Sequence, residues 1–282
     1  SHLARKNGIK VLLSGAGGDD IFTGYRRHLA LNGEMWWTWL PKDIRLIIHQ
    51  YSRFLPITNP LTRRIRKLFS GAHLEKDERL INYFSWINRN DLEALYSESF
   101  RKLMAVEKST NPMLNFLSDL PNDMSPIDKM LALDQRFFLS DHNLTYTDKM
   151  SMQEGVEVRV PFLDLPLVEF ANNIPSKFKQ KGLQGKWILK KAMEPYLPKD
   201  IIYRPKSGFG SPLRRWMRYE MNEWLLDTLS IEKLRKRGLF NPLAVHKLIE
   251  KNNAGYIDAS YTLFSLACIE IWCSHFIDDL SY

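Results

Sequence analysis

Three glycines and two aspartates lie close together near the start of the chain, in the segment Ser14-Gly-Ala-Gly-Gly-Asp-Asp20. Glycine lets backbone approach a ligand closely, and successive N–H groups in such a turn favour an anion. A carboxylate beside phosphates commonly holds Mg²⁺. The segment therefore indicates a nucleotide-phosphate or pyrophosphate site with a metal. A strand-to-helix turn with capping acids and no ligand explains this stretch equally well, because short glycine-rich motifs often occur by chance.

The spacing of this segment excludes two familiar phosphate loops. No Gly-Lys-Ser/Thr sequence closes it, so it is not a Walker A loop. Gly15 and Gly17 fit the start of a Gly-x-Gly-x-x-Gly fingerprint, but the third glycine position is Asp20. Other parts of the chain must therefore identify the chemistry.

A second candidate is the loop from Ile202 to Leu213. Arg204 and Lys206 flank a proline, and Gly208 and Gly210 bracket a phenylalanine. A proline-stiffened loop with two cations suits a phosphate clamp, whereas a lone basic loop is usually just solvated. A helix pattern before this loop carries a basic stripe that includes Lys186, and the stripe alone is weak evidence.

A third block runs from Thr147 to Asp164. Glu157 and Arg159 lie two residues apart, which in an extended segment puts both on one face. Charged side chains around the bend are expected to form an ion-pair network, since buried charges are usually paired. For most of these side chains a structural role is favoured over chemistry. The network would consist of Asp148, Lys149, Glu157 and Arg159, together with Glu154 and Asp164.

The elements that position these residues are mostly helical. The apolar run Ile9–Ser14 predicts one buried parallel strand, and Val156–Val160 predicts a second extended piece. Residues 40–69 look linker-like, and the apolar stretch 259–278 predicts a core helix. Helical periodicity covers the stretches 18–31, 42–54, 61–70, 77–86, 91–97, 126–147, 166–172, 186–196, 212–229, 231–237, 242–250 and 259–278.

Composition limits the class of protein. The 282 residues are 44% hydrophobic and 26% charged, an ordinary globular balance. The net charge of +8 suits nucleic acid, an anionic surface or a polyphosphate ligand. The two cysteines, Cys268 and Cys273, imply neither a disulfide framework nor a metal site, so a reducing cytoplasm is expected. The chain opens on Ser1, which predicts a fragment of a longer protein.

In this order the segments resemble the synthetase domain of the glutamine-hydrolysing asparagine synthetases. Ser14–Asp20 with Gly24-Tyr25 is similar to the family's Ser-Gly-Glu-Gly-x-Asp-Glu…Gly-Gly-Tyr. Asp148-Lys-Met-Ser-Met152 and Glu157-Val-Arg-Val-Pro-Phe-Leu-Asp164 are similar to Asp-Arg-Met-Ser-Met…Glu-x-Arg-Val-Pro-Phe-Leu-Asp. The resemblance spans residues 1 to about 277, with a weak middle from 36 to 125. Its downstream part comprises Lys186–Ala192, Leu197-Pro198 and Arg204-Pro-Lys-Ser-Gly-Phe209.

The resemblance implies an α/β fold, an adenine-nucleotide alpha-hydrolase-like (PP-loop ATPase) parallel sheet, incomplete here, with a predominantly α-helical C-terminal body. Residues 1–282 would be a partial synthetase domain. It also implies that a carboxylate attacks the α-phosphate of ATP and that ammonia then displaces AMP, leaving an amide. By family position, Lys206 is the catalytic cation and Asp19 the Mg²⁺ ligand. The residues expected to border ATP or the intermediate are Ser14, Gly15, Gly17 and Arg204.

Two departures from the family pattern affect these expectations. Ala16 stands where the family has an acid assigned to the ammonia step, so Asp20, a residue outside the chain, or a different ammonia step or acceptor must account for it. The family's Ser-Gly-Gly-x-Asp-Ser pyrophosphate loop and its N-terminal glutaminase domain are not in the sequence. The isolated chain is therefore expected to be inactive, with the glutaminase supplied in cis or in trans.

Three functions stay open. The first is asparagine synthesis from ATP, aspartate and ammonia derived from glutamine. The second is amidation of another carboxylate, such as a uronic acid of a surface polysaccharide. The third is a basic binding module without chemistry, supported only by the net charge. For the enzyme we expect a cytoplasmic location and no nucleic-acid or membrane partner, and a homodimer is left open.

Overall fold

The computed structural model describes residues 1–56, 59–106, 112–206 and 211–278. Its sheet has two strands, β1 (Val11–Leu13) and β2 (Glu157–Arg159), which are parallel and pair Leu12 with Val158. Backbone bonds extend the pairing at both ends: the Glu157 N–H donates to the Lys10 carbonyl and the Ser14 N–H to the Arg159 carbonyl, each at 2.8 Å. The two predicted extended segments are confirmed. The PP-loop classification of this sheet stays a prediction.

The prediction that the first strand is buried is wrong for this structure. Leu13 is 74% exposed, and Val11 and Ile9 are also exposed. Side chains alternate across a strand, so Val11 and Leu13 share one face. Within the described residues no layer covers that face. These apolar side chains are therefore exposed, although the sequence predicted a buried strand.

Helices make up most of the remaining described chain. They are α1 (His2–Lys6), α2 (Gly18–Ile21), α3 (Arg26–Gly33), α4 (Lys42–Ser52), α5 (Pro60–Phe69), α6 (Lys76–Asn82), α7 (Arg89–Glu93), α8 (Glu98–Val106), α9 (Pro112–Ser118), α10 (Pro126–Leu133), α11 (Thr145–Met152), α12 (Leu165–Asn173), α13 (Ser176–Lys179), α14 (Trp187–Met193), α15 (Lys199–Ile202), α16 (Leu213–Arg218), α17 (Asn222–Thr228), α18 (Ile231–Arg237), α19 (Pro242–Asn253) and α20 (Ser260–Cys273). Short 3₁₀ turns span Glu34–Trp36 and Pro161–Leu163, and π-helical stretches span Asp134–Leu144 and Ser274–Asp278.

Several predicted helices are interrupted. The predicted helix 18–31 is two helices, α2 and α3, because Thr23 between them has a left-handed φ of 64°. The predicted helix 126–147 runs from α10 through the π-helical stretch into α11. The predicted helix 212–229 is likewise divided into α16 and α17. Apolar periodicity continues across such breaks, so it does not reveal them.

The linker-like interpretation of residues 40–69 is incorrect for most of that segment, whereas the helices predicted at 42–54 and 61–70 are confirmed as α4 and α5. Helix α5 begins at a proline and has Asn59 as its cap, whose side chain accepts from the Leu61 N–H at 2.8 Å. The helix cap and the helical periodicity therefore predict the structure of this segment better than its proline-rich composition does. Residues 57 and 58 lie outside the described chain.

The chain forms two compact units. The first comprises residues 1–47, 72–81 and 111–206, and it contains both strands. One of its apolar clusters joins Ile21 and Phe22 to Ala171 and Ile174. This cluster fixes the end of α2 against α12.

The second unit comprises residues 48–71, 82–110 and 207–282. Its core gathers Leu225, Leu234 and Ile249 around Leu263 and Ala267 of α20. The prediction of a core helix at 259–278 is confirmed for α20. Its two cysteines differ in environment, since Cys273 is buried and Cys268 is exposed.

Candidate functional site

The turn after β1 depends on close packing at Gly17. Its φ is +90°, a value that L-residues rarely adopt, and a Cβ there would lie 2.3 Å from Leu163 Cδ2. The Ser14 hydroxyl accepts a hydrogen bond from the Ala16 N–H at 3.2 Å, which tightens the same turn. The glycine pattern therefore reflects backbone geometry at a strand-to-helix junction.

The break between α2 and α3 brings a distant helix to this turn. The buried Thr23 hydroxyl donates to the Lys179 carbonyl at 2.9 Å. A Cβ on Gly185 would lie 2.1 Å from the Thr23 carbonyl oxygen, so only glycine fits there. Lys186 follows with a left-handed φ of 55° and donates its backbone N–H to Phe22 at 2.9 Å. Both non-glycine residues hold uncommon conformations, as is frequent at functional sites.

Asp19 lies between two lysines that come from distant parts of the sequence. Lys186 Nζ is 2.6 Å from Asp19 Oδ1, and Lys206 Nζ is 2.8 Å from Asp19 Oδ2. Burial of Asp19 opposes ionisation, but hydrogen bonds from Lys186 and Lys206 outweigh it and hold the pKa of the carboxyl below its usual value. The carboxylate is therefore charged at neutral pH. We call these three residues the lysine–aspartate cluster.

Gly24 makes room for this cluster. A Cβ at this position would lie 1.6 Å from Asp19 Oδ1 and 2.6 Å from Lys186 Cε. Its N–H donates to the Asp19 carbonyl at 2.8 Å, and its carbonyl accepts from Lys206 Nζ at 3.0 Å. The Lys206 ammonium also lies 4.9 Å from the centre of the Tyr25 ring. The Gly24-Tyr25 pair thus borders the site through backbone and ring.

Arg204, the second predicted cation of this loop, is exposed and makes no ion pair with any described residue. The predicted glycine bracket, Gly208 and Gly210 around Phe209, lies outside the described residues. Of the predicted phosphate clamp, the structure therefore brings only Lys206 to the aspartate.

A second charged network lies under Tyr25 and is buried. The Tyr25 hydroxyl contacts Asp20 Oδ1 at 3.1 Å, and Asn143 Nδ2 donates to that hydroxyl at 3.2 Å. Burial, together with the negative charge of Asp134, raises the pKa of Asp20 to about 7 despite the Tyr25 bond. Asp20 is only 1% exposed, so its carboxyl supports the turn from inside. It is poorly placed to replace the acid that Ala16 lacks.

Asp134 anchors this network at the start of the π-helical stretch. Its two carboxylate oxygens pair with Arg27 and with His28 Nε2, the latter at 2.6 Å. The Arg27 guanidinium carbon lies 4.1 Å from the Tyr25 ring centre and 4.5 Å from that of Phe138. A buried carboxylate is stable here because two donors share it. The network fixes α3 against the π-helical stretch.

The predicted ion-pair network of the third block is reduced to one pair. Arg159 Nε donates to Glu157 Oε1 at 2.9 Å, and both side chains are exposed, as their shared strand face requires. Glu154 pairs with His2 instead, at 3.0 Å. Asp148 and Lys149 are exposed and form no ion pair within the described chain. These side chains therefore lie at the surface of α11 and β2 and contribute little stability.

Two residues of the site were not identified from the sequence. Lys186 appeared only as part of a basic stripe, and Asp134 had no signal. The one local hint is Gly185 before Lys186, because a glycine at a helix start permits close approach to another backbone. The pairings themselves join residues more than a hundred positions apart, so no local pattern contains them.

The site offers one accessible carboxylate to a metal. Within the described residues, no group of three or more His, Cys, Asp or Glu side chains could hold a metal ion. A Mg²⁺ ion in nucleotide sites commonly uses one or two carboxylates and completes its shell with phosphate oxygens and water. Asp19, ionised and partly exposed, fits that donor set, and its partners Lys186 and Lys206 suit phosphates.

The chain is similar to one described protein family and to several named proteins. The sequence profile of the family described as Asparagine synthase matches residues 1–274. A Mycobacterium bovis protein whose name carries the words asparagine synthetase and glutamine-hydrolyzing is 29% identical over 98% of this chain and 40% of its own length. Asparagine synthetase [glutamine-hydrolyzing] 1 of Bacillus subtilis is 27% identical over 95% of this chain and 41% of its own. Amidase chyE of Penicillium rubens is 22% identical over 86% of this chain and 38% of its own.

The chain spans about two fifths of the length of the curated relatives it matches. No solved structure matches it. Among the described residues, no helix is both long and apolar enough to cross a membrane. The family profile covers Ser14–Asp20, Lys186 and Lys206 in one continuous match. This chain therefore belongs to the asparagine synthase family.

Proposed function

We propose that this chain is the partial synthetase domain, residues 1–282, of an ATP-dependent amide-forming ligase that makes asparagine. It would adenylate the side-chain carboxylate of aspartate, and ammonia would then release AMP. The observation that carries the proposal is the lysine–aspartate cluster, which joins the first and last predicted phosphate segments. Family membership supports the same reaction class.

Lys206 is the group best suited to act on the reacting phosphate. Its side chain is about half exposed, and its ammonium is held by Asp19 and the Gly24 carbonyl. Negative charge that develops at the α-phosphorus is stabilised by a pre-oriented cation. Asp19 and the Gly24 carbonyl would therefore keep the ammonium beside the glycine turn until a phosphate replaces Asp19 as its partner.

Lys186 supplies a second positive charge on the other side of Asp19. Two ammonium groups share one carboxylate, so the cluster carries an excess of one positive charge. A polyphosphate chain offers these lysines stronger partners than a single carboxylate does. Phosphate binding would therefore draw the lysines away from Asp19 and leave its oxygens available.

Asp19 would hold Mg²⁺, together with phosphate oxygens. When bound, the ion supplies positive charge that stabilises departing pyrophosphate. Asp19 keeps its negative charge because its carboxyl pKa is lowered. Ser14, Gly15 and Gly17 would approach the nucleotide through their backbone, and Arg204 is proposed as a further phosphate contact. Glutamine would provide the ammonia through a glutaminase domain in cis or in trans, in the cytoplasm.

Ala16 favours a second candidate, an amidating ligase with another carboxylate acceptor such as a uronic acid. The side chain between the first two glycines is a methyl group, and its N–H bonds to the Ser14 hydroxyl. Asp20 is buried beneath Tyr25 and cannot readily supply the acid. The acceptor or the ammonia step would then differ from the family pattern.

The test measures AMP and pyrophosphate formation by the natural polypeptide that carries this sequence. It is supplied with ATP, Mg²⁺ and ammonium, and with either aspartate or a uronic acid. Lys206→Met should abolish AMP formation, and Lys186→Met should lower it by about 10²-fold or more, as loss of charge stabilisation does. Lys199→Met, at an exposed lysine of α15, is the matched control.

Aspartate-dependent AMP formation would favour the first candidate, and uronate-dependent formation the second. Wild-type turnover in Lys206→Met with a retained fold would refute the assigned role of the cluster. Failure of both acceptors to stimulate AMP formation would refute asparagine synthesis and amidation of that uronic acid.

A further inference from the structure

A separate cavity of about 1130 Å³ lies within the first compact unit. It is lined by residues from α3, α6, α10 and the segment from Ser176 to Trp187. None of Asp19, Lys186 and Lys206 lines it. Its volume is sufficient for a small organic molecule. The cavity is therefore a candidate binding site distinct from the lysine–aspartate cluster.

The lining is strongly basic. Five cationic side chains face two carboxylates, and the two carboxylates are already paired. Arg79 Nε bonds to Glu34 at 2.6 Å, and Lys129 Nζ bonds to Asp77 at 3.1 Å. The remaining cations, Lys76, Lys177 and Lys181, make no ion pair within the described part of the chain. An excess of unpaired ammonium groups around a concavity attracts an anion.

Two of these lysines lie over aromatic rings. Phe178 and Trp187 are nearly parallel, with ring centres 6.4 Å apart and an interplanar angle of 29°. Lys181 Nζ is 4.9 Å from the Trp187 ring centre, and Lys177 Nζ is 5.2 Å from that of Phe178. Flat apolar surface and positive charge are therefore adjacent on one wall. This pairing suits a ligand whose planar part stacks while its acidic group meets the ammonium groups.

A buried acceptor also lines the cavity. Gln180 is 9% exposed, and its amide nitrogen donates to the His28 carbonyl at 3.3 Å. Its Oε1 atom is buried and has no hydrogen-bond partner among the described residues. An unpaired buried acceptor costs free energy, so a donor from a molecule in the cavity would stabilise it.

We propose that this cavity binds a small aromatic or heteroaromatic anion, bearing a carboxylate or phosphate and a hydrogen-bond donor. The planar part lies on the Phe178 and Trp187 wall, and the acidic group is held by Lys76, Lys177 and Lys181. The donor reaches Gln180 Oε1. The site is independent of the proposed amide synthesis, because no residue of the lysine–aspartate cluster takes part.

The test compares two fluorescent probes of similar shape on the purified protein. Anilinonaphthalene sulfonate has a planar naphthalene ring, an anionic group and an N–H donor, whereas N-phenylnaphthylamine has the same rings and N–H without the charge. Lys76→Ala, Lys177→Ala and Lys181→Ala should each weaken sulfonate binding about two- to fivefold, the effect expected for an exposed charge pair. Binding of the neutral probe should change less than about twofold, and Lys199→Ala should alter neither.

A triple alanine variant should lose sulfonate binding by more than about tenfold if the three charges act together. Displacement of the probe by phenyl phosphate or by benzoate then distinguishes the two acidic groups. Unchanged sulfonate affinity in the triple variant would overturn the proposal. Equal weakening of the binding of both probes in the triple variant, with an unchanged circular dichroism spectrum, would also overturn the proposal. Binding would then depend on apolar contact and not on the three charges.

Discussion

Asp20 gives the sharpest prediction, because burial raises the pKa of its carboxyl and the nearby negative charge of Asp134 adds to this effect. It is 1% exposed, contacts the Tyr25 hydroxyl, and lies near the negative charge of Asp134. Asp20→Asn keeps the size and the hydrogen-bond acceptor but removes the ionisable group. We expect this variant to be more stable than the wild type at neutral and higher pH.

The size and sign of this stability difference follow from the pKa values of Asp20 in the folded and unfolded chain. The pKa of Asp20 is about 7 in the folded protein against an ordinary value of 3.8. In this window the unfolded chain has lost the proton and the folded chain retains it, so stability falls as pH rises. The difference of about 3 pH units, at about 1.4 kcal/mol each, amounts to at most about 4 kcal/mol. The loss begins near the ordinary pKa and is complete above the folded pKa.

The assay is denaturant unfolding of the wild type and Asp20→Asn at several pH values between the two pKa values and above them. The variant curve minus the wild-type curve should rise by about 1.4 kcal/mol per pH unit in the middle of this range and then become flat. Asp19→Asn is the matched control, because the pKa of Asp19 is lowered. That variant should lose stability above the ordinary pKa of an aspartate and approach the wild type in acid.

Parallel wild-type and Asp20→Asn stability curves across this range would refute the reasoning, as would a carboxyl resonance of Asp20 that titrates at the ordinary value. A constant offset between the curves would reflect only the change in the Tyr25 hydrogen bond. The pH dependence of the difference between the two curves therefore reports the ionisation of Asp20 alone.

Three further predictions concern the turn and the acceptor. Gly24→Ala should lower ATP-dependent turnover by about 10²-fold, because its Cβ would lie 1.6 Å from an Asp19 oxygen and displace that carboxylate, whereas Gly33→Ala in open space should leave turnover unchanged in the same AMP assay. Gly17→Ala should lower the free energy of unfolding by about 2 to 4 kcal/mol, since it combines backbone strain with overpacking; denaturant titration with less than about 1 kcal/mol of change would contradict this. Ala16→Glu, which restores the family acid, should raise amide formation from aspartate relative to AMP formation, and an unchanged product ratio would remove Ala16 from acceptor choice.

The sequence by itself determined the segments that matter and part of their local form. An apolar run ending in glycines predicted a strand and a turn, and both are present at β1 and Gly17. The even spacing of Glu157 and Arg159 predicted their shared strand face, and in the structure the two side chains also form an ion pair. The apolar pattern at 259–278 predicted a core helix, realised as α20. These features depend on side-chain periods of two residues in a strand and about four in a helix. A short stretch of sequence is enough to show such periods.

Only the tertiary structure decided which charged groups meet. Asp19 could have faced solvent, yet the left-handed residues Thr23 and Lys186 bring α14 against the turn and give this acid two lysine partners. Burial beneath Tyr25 and the charge of Asp134 likewise make Asp20 an interior group with a raised pKa. Such outcomes depend on contacts between residues far apart in the chain and on the dielectric that burial creates, and neither is encoded in local spacing.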